Sequence, residues 1–247
     1  MNLLMGIMPA IVERTKTCPS RNSALSGAQY YKEILETDNQ NRFREVARMD
    51  KPTFIKLLIY LKPNLTSSTK ICYGQRVMIF LYTISGKTNR DAQERWQHSG
   101  DTISKIIHEV AKSLIIIQKE FVFMDVNPST SARILNNSKF FPYFANCIGA
   151  IDGTHIPAVV QNENNSAFRN RKCYVSQNVL AACDFNMVIT YTLAGWEGSA
   201  HDGRVLSDAM EKGFPVRVGK YYLGDAGYSL TKNVLTPYRG TRYHLRE

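Results

Sequence analysis

The sequence predicts an α+β chain in which a helical region precedes a mixed α/β region, and three observations carry that prediction. From Ala28 to Ile117 apolar residues recur three and four apart, the spacing of amphipathic helices. Beyond residue 140 short apolar runs take over, several of them ending at Asp, Asn or Gly. Between the two, residues 125–140 (DVNPSTSARILNNSKF) are polar and contain Pro128, which marks a boundary. The expected organisation is a flexible leader over 1–27, a helical region over 28–124, a linker over 125–145 and a catalytic-type domain over 146–247.

Taken in order, ERTKTCPSRNSALSG (13–27) has no apolar period and reads as part of the leader. Tyr30, Tyr31, Ile34 and Leu35 then share a helical face, and Phe43, Val46, Ala47 and Met49 continue it after a break at Thr37 to Asn41. Asp50, Lys51 and Pro52 read as a cap with proline in the first turn, opening a helix that Pro63 ends. Gly74 to Ser85 carries a further apolar segment, interrupted by Gly86. Ile103, Ile106, Ile107, Val110, Leu114 and Ile117 form the stripe of another helix. Two helices divided by HSG, the second exposing Thr102, Ser104, Lys105 and His108, suit a helix-turn-helix that would present these residues to DNA. The same spacing suits a bundle that only packs or dimerises.

Downstream, Cys147 to Ile151 and Thr154 to Val160 flank Asp-Gly and read as a hairpin. Val179 to Cys183 and Met187 to Ala194 flank DFN as a second hairpin. A helix from about Asp202 to Met210 and a strand from Lys220 to Leu223 follow. The series describes the front half of a mixed sheet.

Thirty-one Lys and Arg against 21 Asp and Glu leave a formal charge of +10, which favours attraction to a polyanion. The 44% apolar and 21% charged content excludes extended disorder over most of the chain. Five cysteines, odd in number and without a C-x-x-C pair, read as reduced thiols of an intracellular protein. The apolar opening Met1 to Val12 is too short to span a bilayer and lacks the basic start of a secretory signal, so no membrane association is expected.

Three aspartates stand at expected element ends beside small residues: Asp152 in GAIDGTH, Asp202 in GSAHDGRVL and Asp225 in YYLGDAGY. Two-metal phosphoryl transfer needs carboxylates converging on hard cations, and a sheet can bring strand tips together although Asp152 and Asp225 are far apart in sequence. Singly, each has an ordinary role, Asp152 as a hairpin turn, Asp202 as a helix cap and Asp225 as a loop residue.

In succession, GAIDGTH, SQNVLAACDFNMVITYTLAGWEGSAHDGRVLSDA and YYLGDAGYSLTKNVLTPYRGTRYHL resemble the DDE nuclease of PIF/Harbinger transposases and of the nuclease domesticated from them, over about residues 140–247. A fainter likeness covers NRFREVARMDKPTFIKLL and NRDAQERWQHSGDTISKIIHEV, in the helical region that precedes that nuclease. The resemblance implies an incomplete ribonuclease H-like core and a nuclease that hydrolyses DNA phosphodiesters with Mg2+ or Mn2+. Asp152 would be its first catalytic carboxylate, Asp225 its second and Asp202 an auxiliary ligand. It also implies nuclear location, with cytoplasm open, and a Myb-like DNA-binding partner; a homo-oligomer is compatible. The family's third carboxylate is a Glu on a helix further downstream. Glu247 sits in YHLRE, outside such a helix, so no catalytic Glu is assigned and the chain as given is expected to be inactive or nearly so; the alternative is a non-catalytic DNA-binding or partner-binding remnant.

His155 and His201 lie close to candidate ligands and read as donors behind them, because hard cations prefer oxygen. Arg169, Arg171 and Lys172 form a basic loop that could meet a DNA phosphate. Arg239 and Arg242 are placed between surface charge and DNA contact, and Trp196 reads as packing.

Overall fold

The computed structural model describes residues 21–67, 70–123, 125, 128–161, 163, 165–238, 240 and 241. The chain divides into two compact units, one ending at Ile117 and the other beginning at Gln118. Residues 1–20 of the expected leader lie outside the described residues, whereas Arg21 is held by Glu94 and Gln93 and Ser26 caps the first helix.

The first unit is helical: α1 Gly27–Glu36, α2 Gln40–Ala47, α3 Lys51–Leu61, α4 Tyr73–Ile84, α5 Asn89–Trp96 and α6 Gly100–Phe121. Polar side chains satisfy the first-turn amides that no helix can bond internally. Ser26 with Gln29 and Thr88 with Asp91 form capping boxes, Asn39 caps α2, and Asp50 caps α3 with proline just inside. Gly74 to Ile79 of α4 are all buried, because α1, α2, α3 and α5 pack around that helix. Ile34, Phe43, Phe54, Trp96, Ile103 and Val110 complete this core.

The second unit holds a short helix α7 (Ala132–Leu135), strand β1 (Cys147–Pro157), a one-turn helix α8 (Asn165–Phe168), β2 (Ser176–Cys183), β3 (Ile189–Glu197), α9 (Asp202–Glu211), β4 (Tyr221–Leu223) and β5 (Val234–Leu235). The sheet order is β3-β2-β1-β4-β5. β1, β2 and β3 run antiparallel to their neighbours, while β4 lies parallel to β1 and β5 parallel to β4. α9 packs on β2 and β3, joining Val205, Leu206 and Ala209 to Ile151, Leu180, Ala182 and Tyr222.

Two expectations change. Residues 125–145 are more than a linker: α7 buries Ile134, Thr130 Oγ1 donates to the Ala145 carbonyl at 2.8 Å, and the stretch belongs to the second unit. The expected hairpin at Asp152-Gly153 is instead one strand. β2 pairs β1 without a break from Ala150↔Cys183 to Pro157↔Ser176, so both halves bond to a common partner and no turn is needed. Gly153 is absent from the positive-φ residues that a type I′ turn would require. The DFN hairpin forms as expected, its turn held by Asp184 Oδ1 accepting from the amides of Asn186 and Val188.

Candidate metal-binding carboxylate site

Asp152 lies within β1, beside the strand that carries the chain towards Asp225. Ala150 pairs with Leu223, the last residue of β4, in the parallel β1–β4 ladder, so the chain leaving β4 towards Asp225 passes beside the part of β1 that carries Asp152. Alternation buries Ile151 and exposes Asp152; Asp225 is exposed as well. Each carboxylate is aimed by a local amide: Asp152 Oδ1 accepts from Gly153 N and Asp225 Oδ1 from Gly227 N, both at 2.8 Å.

Asp202 opens α9, where the helix dipole favours a negative charge. A β-carbon built on Gly153 would lie 2.3 Å from Asp202 Oδ1, and one on Gly227 would lie 3.0 Å from Asp225 Oδ1 and 3.6 Å from Asp202 Oδ2. The two glycines thus leave a cradle that β1, α9 and the loop after β4 share. Tyr228 closes it from below. Its side chain is buried, its hydroxyl has no partner among the described residues, and burial together with Asp202, Asp152 and Asp225 pushes the phenol pKa up. Asn178, buried on β2, donates to Asp202 Oδ1 at 2.8 Å and to the Ala200 carbonyl at 3.1 Å, while its own Oδ1 has no partner among the described residues.

The three aspartates suit a hard divalent cation in chemistry, since all supply oxygen, and two buried polar atoms beside them lack partners among the described residues. Among the described residues, no three of His, Cys, Asp and Glu already stand close enough to hold an ion together. An ion would therefore be met by rotation of exposed carboxylates over the cradle. Glycine at 153 is required for this. In Gly153→Ala the new methyl would press on Asp202, which Asn178 holds, and on the buried Asn178 Oδ1 at 3.2 Å, so we predict a stability loss of about 1–3 kcal/mol and roughly 10–100-fold weaker manganese binding by calorimetry, the size typical for losing an orienting partner.

His201 caps α9 with its backbone, and its Nε2 accepts from Arg171 at 2.7 Å, which docks the basic loop beside Asp202. His155 Nδ1 lies 3.1 Å from Ser176 Oγ. Neither histidine bonds one of the three aspartates here: His201 accepts from Arg171 and His155 faces Ser176. Arg169, Arg171 and Lys172 are exposed on a loop ordered by Asn170, whose Oδ1 accepts from the amides of Lys172 and Tyr174. Trp196 packs on the core, with Nε1 donating to Asp208 Oδ2 at 2.8 Å.

The candidate recognition residues are less free than expected. Thr102 is half-buried and shares the Ser99 hydroxyl at the start of α6, and Ser104 is half-buried with its carbonyl facing His108 Nδ1. Lys105 is exposed but paired with Asp101 one turn back at 2.7 Å, a surface pair of small energetic weight. Arg239, Arg242 and Glu247 lie outside the described residues.

Asn178 and Tyr228 escaped notice in the sequence. The available signal was a polar residue at an inward position of SQNVLAAC, where Ser176, Asn178, Leu180 and Ala182 alternate as the buried set. A cavity of about 560 Å³ at the other end of β1, lined by Thr130, Cys147, Asp184, Thr190 and Tyr222 among others, includes none of the three aspartates. The acidic site is open.

Among the described residues, Cys72, Cys147, Cys173 and Cys183 are free thiols, and no helix is long and apolar enough to cross a membrane.

Comparison with known proteins bears on both units. Residues 22–116 match a family described as a domain of unknown function (DUF8040). Protein ALP1-like of Arabidopsis thaliana is 25% identical over 228 residues, which cover 80% of this chain and 55% of that protein, so the chain spans about half the length of this relative. No solved structure matches. Residues 151–247, the stretch that supplies Asp152, Asp202 and Asp225, match the family described as DDE superfamily endonuclease.

Proposed function

We propose that the second unit is the front of a ribonuclease H-like, transposase-derived nuclease of the PIF/Harbinger kind, which hydrolyses DNA phosphodiester bonds. The observation that carries this reading is the parallel β1–β4 register, which sets Asp152 within β1 beside the exit of β4 that leads to Asp225, with Asp202 reaching the same two glycines. Asp152 and Asp225 would be the shared ligands of divalent cations and Asp202 an auxiliary one. Divalent cations such as Mg2+ or Mn2+, if held there, would supply an activated water and charge for the leaving oxygen.

The chain's own groups do the rest. Gly153 and Gly227 keep the cradle empty, the Gly153 and Gly227 amides hold the carboxylates of Asp152 and Asp225, and Asn178 fixes Asp202. Arg171, tied to His201, sets the exposed Arg169–Lys172 loop beside the acidic centre, where it can meet the phosphates that flank a scissile bond. An open site and a charge of +10 suit a polymeric anion better than a small phosphoester. The helical unit would add DNA contacts through α6, with a Myb-like partner supplying sequence choice in the nucleus.

The test is manganese titration of the full chain by calorimetry, repeated with Asp152→Ala. Saturable binding in the parent, weakened in the variant by more than the roughly 10–100-fold of an outer partner, supports the reading. Absence of binding in the parent overturns it and leaves a non-catalytic DNA-binding or partner-binding remnant, the account that the lack of a preformed three-residue group among the described residues would then favour.

A further inference from the structure

Asn178 is 1% exposed and sits on β2 opposite His155, facing the start of α9. Two acceptors, the Ala200 carbonyl and Asp202 Oδ1, fix which end of its amide is nitrogen. The carbonyl end is thereby committed. Its Oδ1 is shut off from bulk solvent and lies 3.2 Å from where a β-carbon on Gly153 would be, while Asp202 Oδ1 is 2.3 Å from the same point. A buried amide oxygen without a donor is destabilising, and no described residue supplies that donor. The carboxylates around it cannot do so while ionised, since they only accept. A hydrated divalent cation can, because magnesium and similar ions keep several waters when carboxylates bind them.

We propose that Asn178 is a positioning residue of the carboxylate site, its amide nitrogen clamping Asp202 and its carbonyl oxygen accepting a hydrogen bond from a water on the cation that Asp202 helps to hold. The proposal rests on the metal-dependent reading above. It explains why β2 carries a polar side chain at a position flanked by the inward Leu180 and Ala182, where an apolar residue would satisfy the core. It also explains the glycine at 153: a side chain there would displace Asp202 and fill the place of that water.

The experiment uses the full chain. Manganese affinity and the exchange rate of manganese-bound water, read by relaxation of the solvent signal, are measured for the parent and for Asn178→Leu. The expected result is an affinity loss of about 10–100-fold and faster exchange of a bound water in the variant. Parent affinity and exchange in Asn178→Leu, with only a lower melting temperature in chelator, would show a purely structural amide and overturn the proposal. A second measurement needs no variant: magnesium titrated into the labelled parent should shift the Asn178 side-chain amide signals along the binding curve. Signals that stay fixed while the ion binds would also overturn it. A parent that binds neither ion removes the metal-dependent reading as well, whereas a parent that binds, an Asp152→Ala variant that does not and an unaffected Asn178→Leu remove this inference alone.

Discussion

Gly149→Ala is expected to destabilise the second unit by about 3 kcal/mol, the upper part of the range for overpacking. Replacing glycine by alanine inside a strand ordinarily stabilises by about 0.5–1 kcal/mol, because the unfolded chain loses freedom. Here the new methyl would stand 2.0 Å from the Cys183 carbonyl oxygen, 3.0 Å from its carbon and 3.3 Å from the Asp184 α-carbon. All three are backbone atoms of the neighbouring strand end. No rotamer can relieve the contact, so β1 and β2 must part where Ala150 pairs with Cys183. The strain also reaches Tyr222, which registers with Gly149 in the β1–β4 ladder and is fully buried. Urea unfolding followed through Trp196 in a Trp96→Phe background reads this unit, with that background as reference. A midpoint shift at constant slope is the expected signature. An unchanged midpoint would mean that the strand ends separate freely, and the seat of Asp152 would be softer than the geometry describes.

Most of the helical unit was legible in the sequence because its helices carry an apolar stripe, and some a start signal as well. Asp50 with Pro52 marks a start and the stripe of Phe54 and Leu61 marks a buried face. The same holds for the Ile103, Ile106, Val110 series of α6. Asp152-Gly153 misled for a local reason: that dipeptide favours a turn, and the decision belongs to β2, whose pairing runs past it. Asp152 was expected at a strand end and lies in the middle of β1, and the parallel register sets β4, which leads to Asp225, beside it. Asn178 was hidden because its meaning is tertiary. One amide held between two acceptors has no sequence period, and neither does the loss of Thr102 to a cap hydroxyl.

Glu109→Ala is expected to cost the helical unit about 3–5 kcal/mol, the penalty for leaving a buried partner's charge uncompensated. Arg76 on α4 is 3% exposed. Its three nitrogens donate to the Ile71 carbonyl at 3.2 Å, to Glu109 Oε1 at 2.8 Å and to the Thr66 carbonyl at 2.9 Å, and its guanidinium lies 5.0 Å from the Tyr73 ring centroid. Glu109 on α6 also accepts from the Thr66 amide and hydroxyl, so one carboxylate ties α6 to α4 and to the segment after α3. Burial pushes the Glu109 carboxyl up, but the hydrogen bonds from Thr66 and Arg76 more than reverse this and hold it below its ordinary 4.5. A depressed folded value gives stability that is present above the unfolded value and lost as pH falls through the folded one. The parent should therefore weaken below about pH 4.5, and Glu109→Gln should lose that part of the slope. The emission of Trp96, fully buried in this unit, reports the transition in a Trp196→Phe background. Arg76→Met combined with Glu109→Leu should recover most of the loss, because an apolar pair of similar volume needs no charge partner. A double variant as unstable as Glu109→Ala would mean that the Thr66 hydrogen bonds, rather than the charge on Arg76, hold α6 in place. Lys105 and His108 stand on the turn of α6 next to Glu109, so their placement depends on the same tie.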